Sequence, residues 1–234
     1  MSRNARPLAR PLARALTRPL APTVAAVLCG VGLAGVSLPA AAHPHVWVDV
    51  RNTLLFDADG RVTGVRAEWL FDALFSAFAL SEVDTDKDGT ASAEELVPLA
   101  AGYLDSLREY DYFMEITSGG AIIDIADATE GLAENRDGRL MLAFTAPLAA
   151  PVDGALGDLE VRSYDPTYYV ALDMAESEAA ALGENAADAC RVAVEPPKDG
   201  GEWQTLADSA LGDGVAVRSV AARYASVVRL TCAP

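Results

Sequence analysis

"HVWVDVRNTLLFDADGRVTGVRAEWLFDALFSAFALSEV", residues 45–83, changes its hydrophobic period once, and that change sets the fold class. From His45 to Phe56 apolar and polar residues alternate, as they do in a strand with one face on a core. "DADG", Asp57 to Gly60, is turn chemistry, and "RVTGVRAEWLF" returns as a second strand, so the stretch opens as a hairpin. After Phe71 the spacing becomes helical, with Leu74, Phe75, Phe78 and Ala79 on one stripe. A second helical stretch, "AEELVPLAAGYLDSLREYDYF", carries Leu96, Leu99, Ala100, Tyr103, Leu104 and Leu107 at the same period. The chain then reverts to strand patterns: "YFMEITS", "AIIDIAD", "LMLAFTAPL", "LEVRSYD", "TYYVALDM", "CRVAVEP" and "VVRLTC". The expected class is α+β: a mostly antiparallel β domain with a helix–Ca2+ loop–helix pair inserted near its N-terminus, at about residues 72–110. Lys198 to Gly214, rich in Gly and Asp, reads as a long loop.

Upstream of the hairpin, residues 1–42 hold five arginines (Arg3, Arg6, Arg10, Arg14, Arg18) and no acid, followed by the apolar "PLAPTVAAVLCGVGLAGVSLPAAA". A basic stretch, an apolar stretch and small residues at Ala40 and Ala42 read as a secretory signal peptide cut after Ala42, leaving one exported domain over residues 43–234. A retained membrane anchor is disfavoured by the Gly, Pro and Ala content and the Ala-x-Ala exit, so no membrane insertion is expected after cleavage. A lipid anchor on Cys29 fails on Leu28, where a small residue is needed.

Past residue 42 the chain has 13 basic and 34 acidic residues, a net charge of −21. Nucleic acid and anionic membrane surfaces are therefore poor partners, and cations good ones. Cys190 and Cys232 remain as an even pair in a chain destined for the periplasm or the exterior, and a disulfide between them is the economical reading. The rival, a Cys-Cys metal site, has no further Cys or His near either residue.

Between the two helical stretches lies "DTDKDGTASAEE", Asp84 to Glu95, which fits the calcium-loop pattern D-x-D-x-D-G-x5-E. A hard cation of this size gathers six to eight oxygens from one tightly wound loop. Asp84, Asp86 and Asp88 supply carboxylates, Gly89 the sharp turn, Thr90 its carbonyl, Ser92 a side chain or bridging water, and Glu95 both of its oxygens. The metal-free alternative makes Ser92 and Glu95 a capping box for the second helix. Ala91 stands where paired sensor loops carry a β-forming apolar residue, and no second such loop occurs, so the site reads as a solitary structural clamp of modest affinity.

Both histidines of the chain, His43 and His45, stand directly behind the expected cleavage point. A chain starting at His43 presents an α-amine and an imidazole together, with His45 adding a second imidazole and Asp49 or another acid a third type of donor. Such nitrogen sets suit Ni2+, Co2+, Zn2+ or Cu2+ rather than Ca2+. Pro44 removes the amide that a square-planar amine-and-amides chelate needs. The plainer alternative has His43 fraying in solvent and His45 opening an edge strand.

"AHPHVWVDV", "EWLFDALFSAFALSEVDTDKDG", "REYDYF" and "YDPTYYVAL" together resemble the bacterial domain-of-unknown-function 1007 family, exported proteins described as a periplasmic component of an uncharacterised ABC-type transport system. The likeness runs from His43 to Cys232. It matches His43 and His45 to the family's "HPH" start and Trp69, Phe71, Asp72 and Ser76 to its helix-entry motif. Asp84 to Glu95 match its acidic loop, and Asp165, Pro166, Tyr168 and Tyr169 its "DPxYY" motif. The resemblance implies a soluble partner for an inner-membrane metal permease or ABC transporter, of nickel, cobalt or another transition metal. Asp-Pro also opens a turn in its own right, with tyrosines packing the strand behind it.

No Gly-x-Ser-x-Gly, no Cys beside a His, no zincin helix and no phosphate-cradling Gly-rich loop occurs, so an enzyme is not expected. Three functions stand: a periplasmic metal-binding accessory of a transition-metal transporter with a structural Ca2+ site; a Ca2+-stabilised envelope interaction module with no transport role; and a copper enzyme built on an amino-terminal His.

Overall fold

The structure is a computed structural model and describes residues 44–153, 158–197 and 220–233. The expected signal peptide, His43 and the expected loop from Lys198 to Gly214 lie outside the described residues.

Strands β1 (Val46–Phe56) and β2 (Arg61–Phe71) form the hairpin that their alternation predicts. Asp57 closes its turn, accepting the backbone N–H groups of Asp59 at 3.0 Å and Arg61 at 2.9 Å. Helices α1 (Ala73–Val83) and α2 (Ala93–Leu107) follow, then a 3-10 segment, Arg108–Phe113. Nine strands remain: β3 (Met114–Ser118), β4 (Ala121–Ile122), β5 (Thr129–Arg136), β6 (Arg139–Asp153), β7 (Leu159–Ser163), β8 (Val170–Met174), β9 (Ala180–Leu182), β10 (Cys190–Glu195) and β11 (Val227–Cys232). One sheet runs β5-β6-β2-β1-β8 with β9 also beside β1, and the other runs β10-β11-β7-β3-β4. Val48, Val50 and Leu54 of the first sheet share one apolar cluster with Ile116, Val161 and Leu230 of the second. Each such side chain, fully buried, contributes about 1.5–3 kcal/mol. Ala79, Leu80, Leu96 and Ala100 bring the two helices into the same cluster.

The β-rich architecture agrees with the expected, mostly antiparallel class: the second sheet is antiparallel throughout, while the first is mixed. β8 and β9 both lie parallel to β1. Between β1 and β8 the chain passes through both helices and through β3, β4 and β7 of the second sheet, so no short hairpin dictates direction. Because β1 is paired on both sides, His45 leads into an interior strand and does not open an edge.

Three local expectations need correction. On α1, Leu74 is 83% and Phe78 63% exposed, while Ser76, Ala79 and Leu80 are buried. The helix is apolar nearly all round, so its stripe does not choose the inward face. Ser76 does: its hydroxyl donates to the Phe71 carbonyl and accepts the N–H of Leu140 at 2.9 Å. The helical pattern through "REYDYF" also breaks, because Asp111, Tyr112 and Phe113 have φ of 52°, 56° and 52°. That reversal buries Tyr112, whose hydroxyl accepts from the N–H of Ala128, and stacks Phe113 on Trp69. Finally, β5 and β9 carry no clear alternation and were not expected, whereas "AIIDIAD" keeps only a two-residue strand. Cys190 and Cys232 face each other across β10 and β11 and are bonded.

Candidate functional site

Two places gather the residues singled out by the sequence. The first is the turn between the helices. Asp84 caps the end of α1 and folds the loop over itself: its carboxylate accepts the N–H groups of Asp88 at 3.1 Å and Gly89 at 2.9 Å. Asp86 accepts from Asp88, and Asp88 from Thr90. Gly89 sits at φ +90°, where a side chain would be strained. This winding brings one carboxylate oxygen from each of Asp84, Asp86 and Asp88 within 4.8 Å of one another.

The Glu95 carboxylate is not in that oxygen group, although it accepts the Asp86 N–H at 3.4 Å. One of its oxygens accepts from the Thr85 N–H and hydroxyl at 2.6 and 2.7 Å, the other from the Ser92 N–H and hydroxyl at 2.9 and 2.8 Å. With the Glu95 N–H returned to Ser92, this is a complete capping box on α2. The Thr85 hydroxyl above all, and then the Ser92 donors, draw the Glu95 pKa down from 4.5 to about 2. Thr85, a non-ligand position of the loop pattern, was not anticipated as its partner.

The second place is the entrance to β1, where three motifs distant in sequence meet. Pro44 is buried and His45 exposed. The His45 N–H donates to the Tyr169 carbonyl at 2.9 Å, and the two rings lie 4.9 Å apart. One residue pair further on, Asp72 both caps α1 and clamps β1. Its carboxylate accepts the N–H groups of Leu74 and Phe75 at 2.9 Å and that of Trp47 at 3.0 Å, while its own N–H donates to the Trp47 carbonyl. Trp69 and Phe71, from the same motif, pack in the core. His45, Trp47 and Asp49 share the outer face by strand parity. Asp49 is engaged by the Arg139 guanidinium at 2.9 Å. Beside it across the parallel pair, Asp173 keeps an exposed surface, yet loses enough water around its carboxyl that its pKa rises, with the Asp49 charge adding to the effect.

The "DPTYY" turn builds one wall of this entrance. Asp165 is 4% exposed, and its carboxylate accepts the N–H groups of Thr167, Tyr169 and Val170 at 2.7, 3.0 and 2.9 Å, plus the Thr167 hydroxyl. The motif is thus a hydrogen-bonded hub that aims two consecutive tyrosines at different neighbours. Tyr169 as a companion of His45 was missed in the sequence. The signal available was the motif itself, two consecutive tyrosines directly ahead of a strand.

Among the described residues no helix is long and apolar enough to cross a membrane. The Cys190–Cys232 bond fits an oxidising compartment outside the cytoplasm.

Comparison with known proteins finds a matching family and similar sequences. The profile of a family described as "Protein of unknown function (DUF1007)" matches residues 28–232. An uncharacterised protein of Haemophilus influenzae is 25% identical over 154 residues, covering 64% of this chain and 73% of its own length. An uncharacterised 15.5 kDa protein of Spirochaeta aurantia is 31% identical over 99 residues, 42% of this chain and 70% of its own.

Proposed function

The chain belongs to the DUF1007 family of proteins of unknown function, and on that premise we propose that it is an exported metal-binding accessory of a transition-metal transport system, working beside an inner-membrane permease and steadied by Ca2+ in its interhelical loop. The observation that carries the metal-binding half is the 4.8 Å grouping of oxygens from Asp84, Asp86 and Asp88. Ligands 2.3–2.6 Å from a shared Ca2+ lie at most about 5 Å from one another, so these three are grouped closely enough for one ion to draw them together. Thr90 and Ser92 are the further oxygen donors of the loop. Glu95 joins them by giving up Thr85 and Ser92, exchanging a capping box for a bidentate metal contact. The ion rigidifies the junction of α1 and α2.

The transition-metal half rests on His45, held at the surface by Tyr169 and backed by the Asp72 clamp on Trp47. With the signal peptide removed after Ala42, the His43 amine and imidazole would complete the nitrogen set for Ni2+, Co2+, Zn2+ or Cu2+. Asp49 is a weaker third ligand than the sequence suggests, because Arg139 competes for it.

Calorimetric titration of protein purified from its mature compartment tests both halves. Ca2+ should bind at one site that is lost in an Asp84→Asn, Asp86→Asn double variant. Ni2+, Zn2+ or Cu2+ should bind at a separate site weakened by His43→Ala and by His45→Ala. Absence of saturable Ca2+ uptake removes the clamp, and unchanged transition-metal affinity in both histidine variants removes the transport reading. A second reading, an envelope interaction module, draws on the exposed Trp47, Leu74, Phe78 and Tyr169. Under it, charge at Leu74 or Phe78 abolishes partner capture while the histidine variants change nothing.

A further inference from the structure

The "DPTYY" turn sends its tyrosines opposite ways, and only Tyr169 is used at the β1 entrance. Tyr168 points inward: it is 6% exposed, sits at φ +60°, and its hydroxyl has no hydrogen-bond partner among the described residues. A buried phenol left this way is costly, and the Asp165 hub enforces it through the N–H groups on either side. Tyr168 lines a cavity of about 60 Å3 between β8 and residues 221–225, together with Ser163, Ala171, Asp173, Ala221 and Tyr224. That volume is roughly two water molecules' share.

The lining decides what such a cavity accepts. Its polar groups are hydroxyls and carboxyls, and no Lys, Arg or His is among the lining residues. Asp165 is already saturated by its own turn. Asp173 lies beside Asp49, so its charge is poorly compensated from within the sheet. Among the described residues the lining therefore favours a cation over an anion. Neutral phenols are poor ligands for transition metals but good acceptors of N–H bonds. Ser163 Oγ already accepts from the Asn52 amide at 3.3 Å, which leaves two phenol oxygens and one carboxylate, and a compact cation with three N–H donors matches these three.

We propose that this cavity is a binding site for a primary ammonium group, with Asp173 supplying the countercharge and one acceptor and the hydroxyls of Tyr168 and Tyr224 accepting its other N–H bonds. The site is independent of the metal reading. The amine is either a small free molecule or the end of a lysine side chain entering from a partner.

Ring resonances of Tyr168 in the processed protein, followed at constant ionic strength, test it. Methylammonium should shift them saturably; tetramethylammonium, which has no N–H, and sodium should not. Nα-acetyl-lysine methylamide distinguishes the sources: tighter binding than methylammonium points to a protein lysine, weaker binding to a free small amine. Tyr168→Phe and Asp173→Asn should each weaken methylammonium by roughly tenfold or more, the loss of one charge-assisted bond. The amide spectrum of each variant reports that the fold is kept, and Asp173→Asn, near the end of β8, provides the reading if Tyr168→Phe disturbs it. A wild-type protein without a saturable shift, meaning that the cavity holds water only, overturns the proposal. So does undiminished binding in both variants.

Discussion

Replacing Asp165 by alanine removes the acceptor of three backbone N–H groups and one hydroxyl in a single step. Bonds to a charged acceptor contribute about 1.5–3 kcal/mol each, so a simple sum passes 5 kcal/mol. Two of the stranded N–H groups belong to residues that water reaches, Thr167 and Tyr169, whereas Val170 enters β8 beside the core. Counting full loss only for Val170 and partial loss for the others leads to about 3–4 kcal/mol. Asp165→Asn keeps one oxygen but turns an amide donor toward an N–H, and should cost about 2 kcal/mol. Urea unfolding monitored by far-ultraviolet circular dichroism, with the slope checked for constancy, measures both. An alanine variant within about 1 kcal/mol of wild type, or an asparagine variant as damaged as alanine, refutes the assignment of Asp165 as the organiser of the turn.

Other consequences are as direct. Because the fold lowers the Glu95 pKa from 4.5 to about 2, its ionised form is the stabilised one. Its contribution is therefore complete above 4.5 and drains away as the pH falls toward 2. The stability gap between wild type and Glu95→Gln in metal-free buffer should close over that window; a gap independent of pH contradicts the capping box. Removing the Cys190–Cys232 bond, which spans 42 residues, should lower stability by about 4 kcal/mol on the loop-entropy model. A Cys190→Ala, Cys232→Ala variant losing less than about 1 kcal/mol would show that the unfolded chain is already restricted there. At Gly64 an added Cβ would lie 2.7 Å from the Ala146 carbonyl oxygen and 3.1 Å from the Pro147 Cα, both backbone atoms of β6 that cannot rotate away. Gly64→Ala should cost about 2–3 kcal/mol and lower the thermal midpoint; an unchanged midpoint means the bulge beside Val62 absorbs the methyl group.

Legibility in the sequence followed the range of the interaction. The β1–β2 hairpin could be read because strand alternation and the "DADG" turn are complete within 26 residues. The disulfide followed from there being two candidate cysteines past residue 42. The winding of the acidic loop is likewise local, each aspartate bonding N–H groups two to five residues away. By contrast, Leu74 and Phe78 were assigned to the wrong face because α1 is apolar on every side. Its orientation comes from Ser76 reaching the N–H of Leu140, a partner on another strand. The left-handed run through Asp111, Tyr112 and Phe113 had no signal of its own, since none of the three is glycine; burial of Tyr112 and Phe113 enforces it.

The amino-acid sequence alone determined the order and type of most elements, the family, the acidic loop with its two possible uses, and the cysteine partners. The family rests on the resemblance of its motifs, and the others on periodicity, short-range hydrogen bonding or simple counting. Tertiary structure decided that β8 lies parallel beside β1, which sets Tyr169 on His45 and leaves the Tyr168 hydroxyl facing a cavity. Strand order and direction across a long connection are chosen by how whole faces bury together, and no local stretch of residues carries that choice.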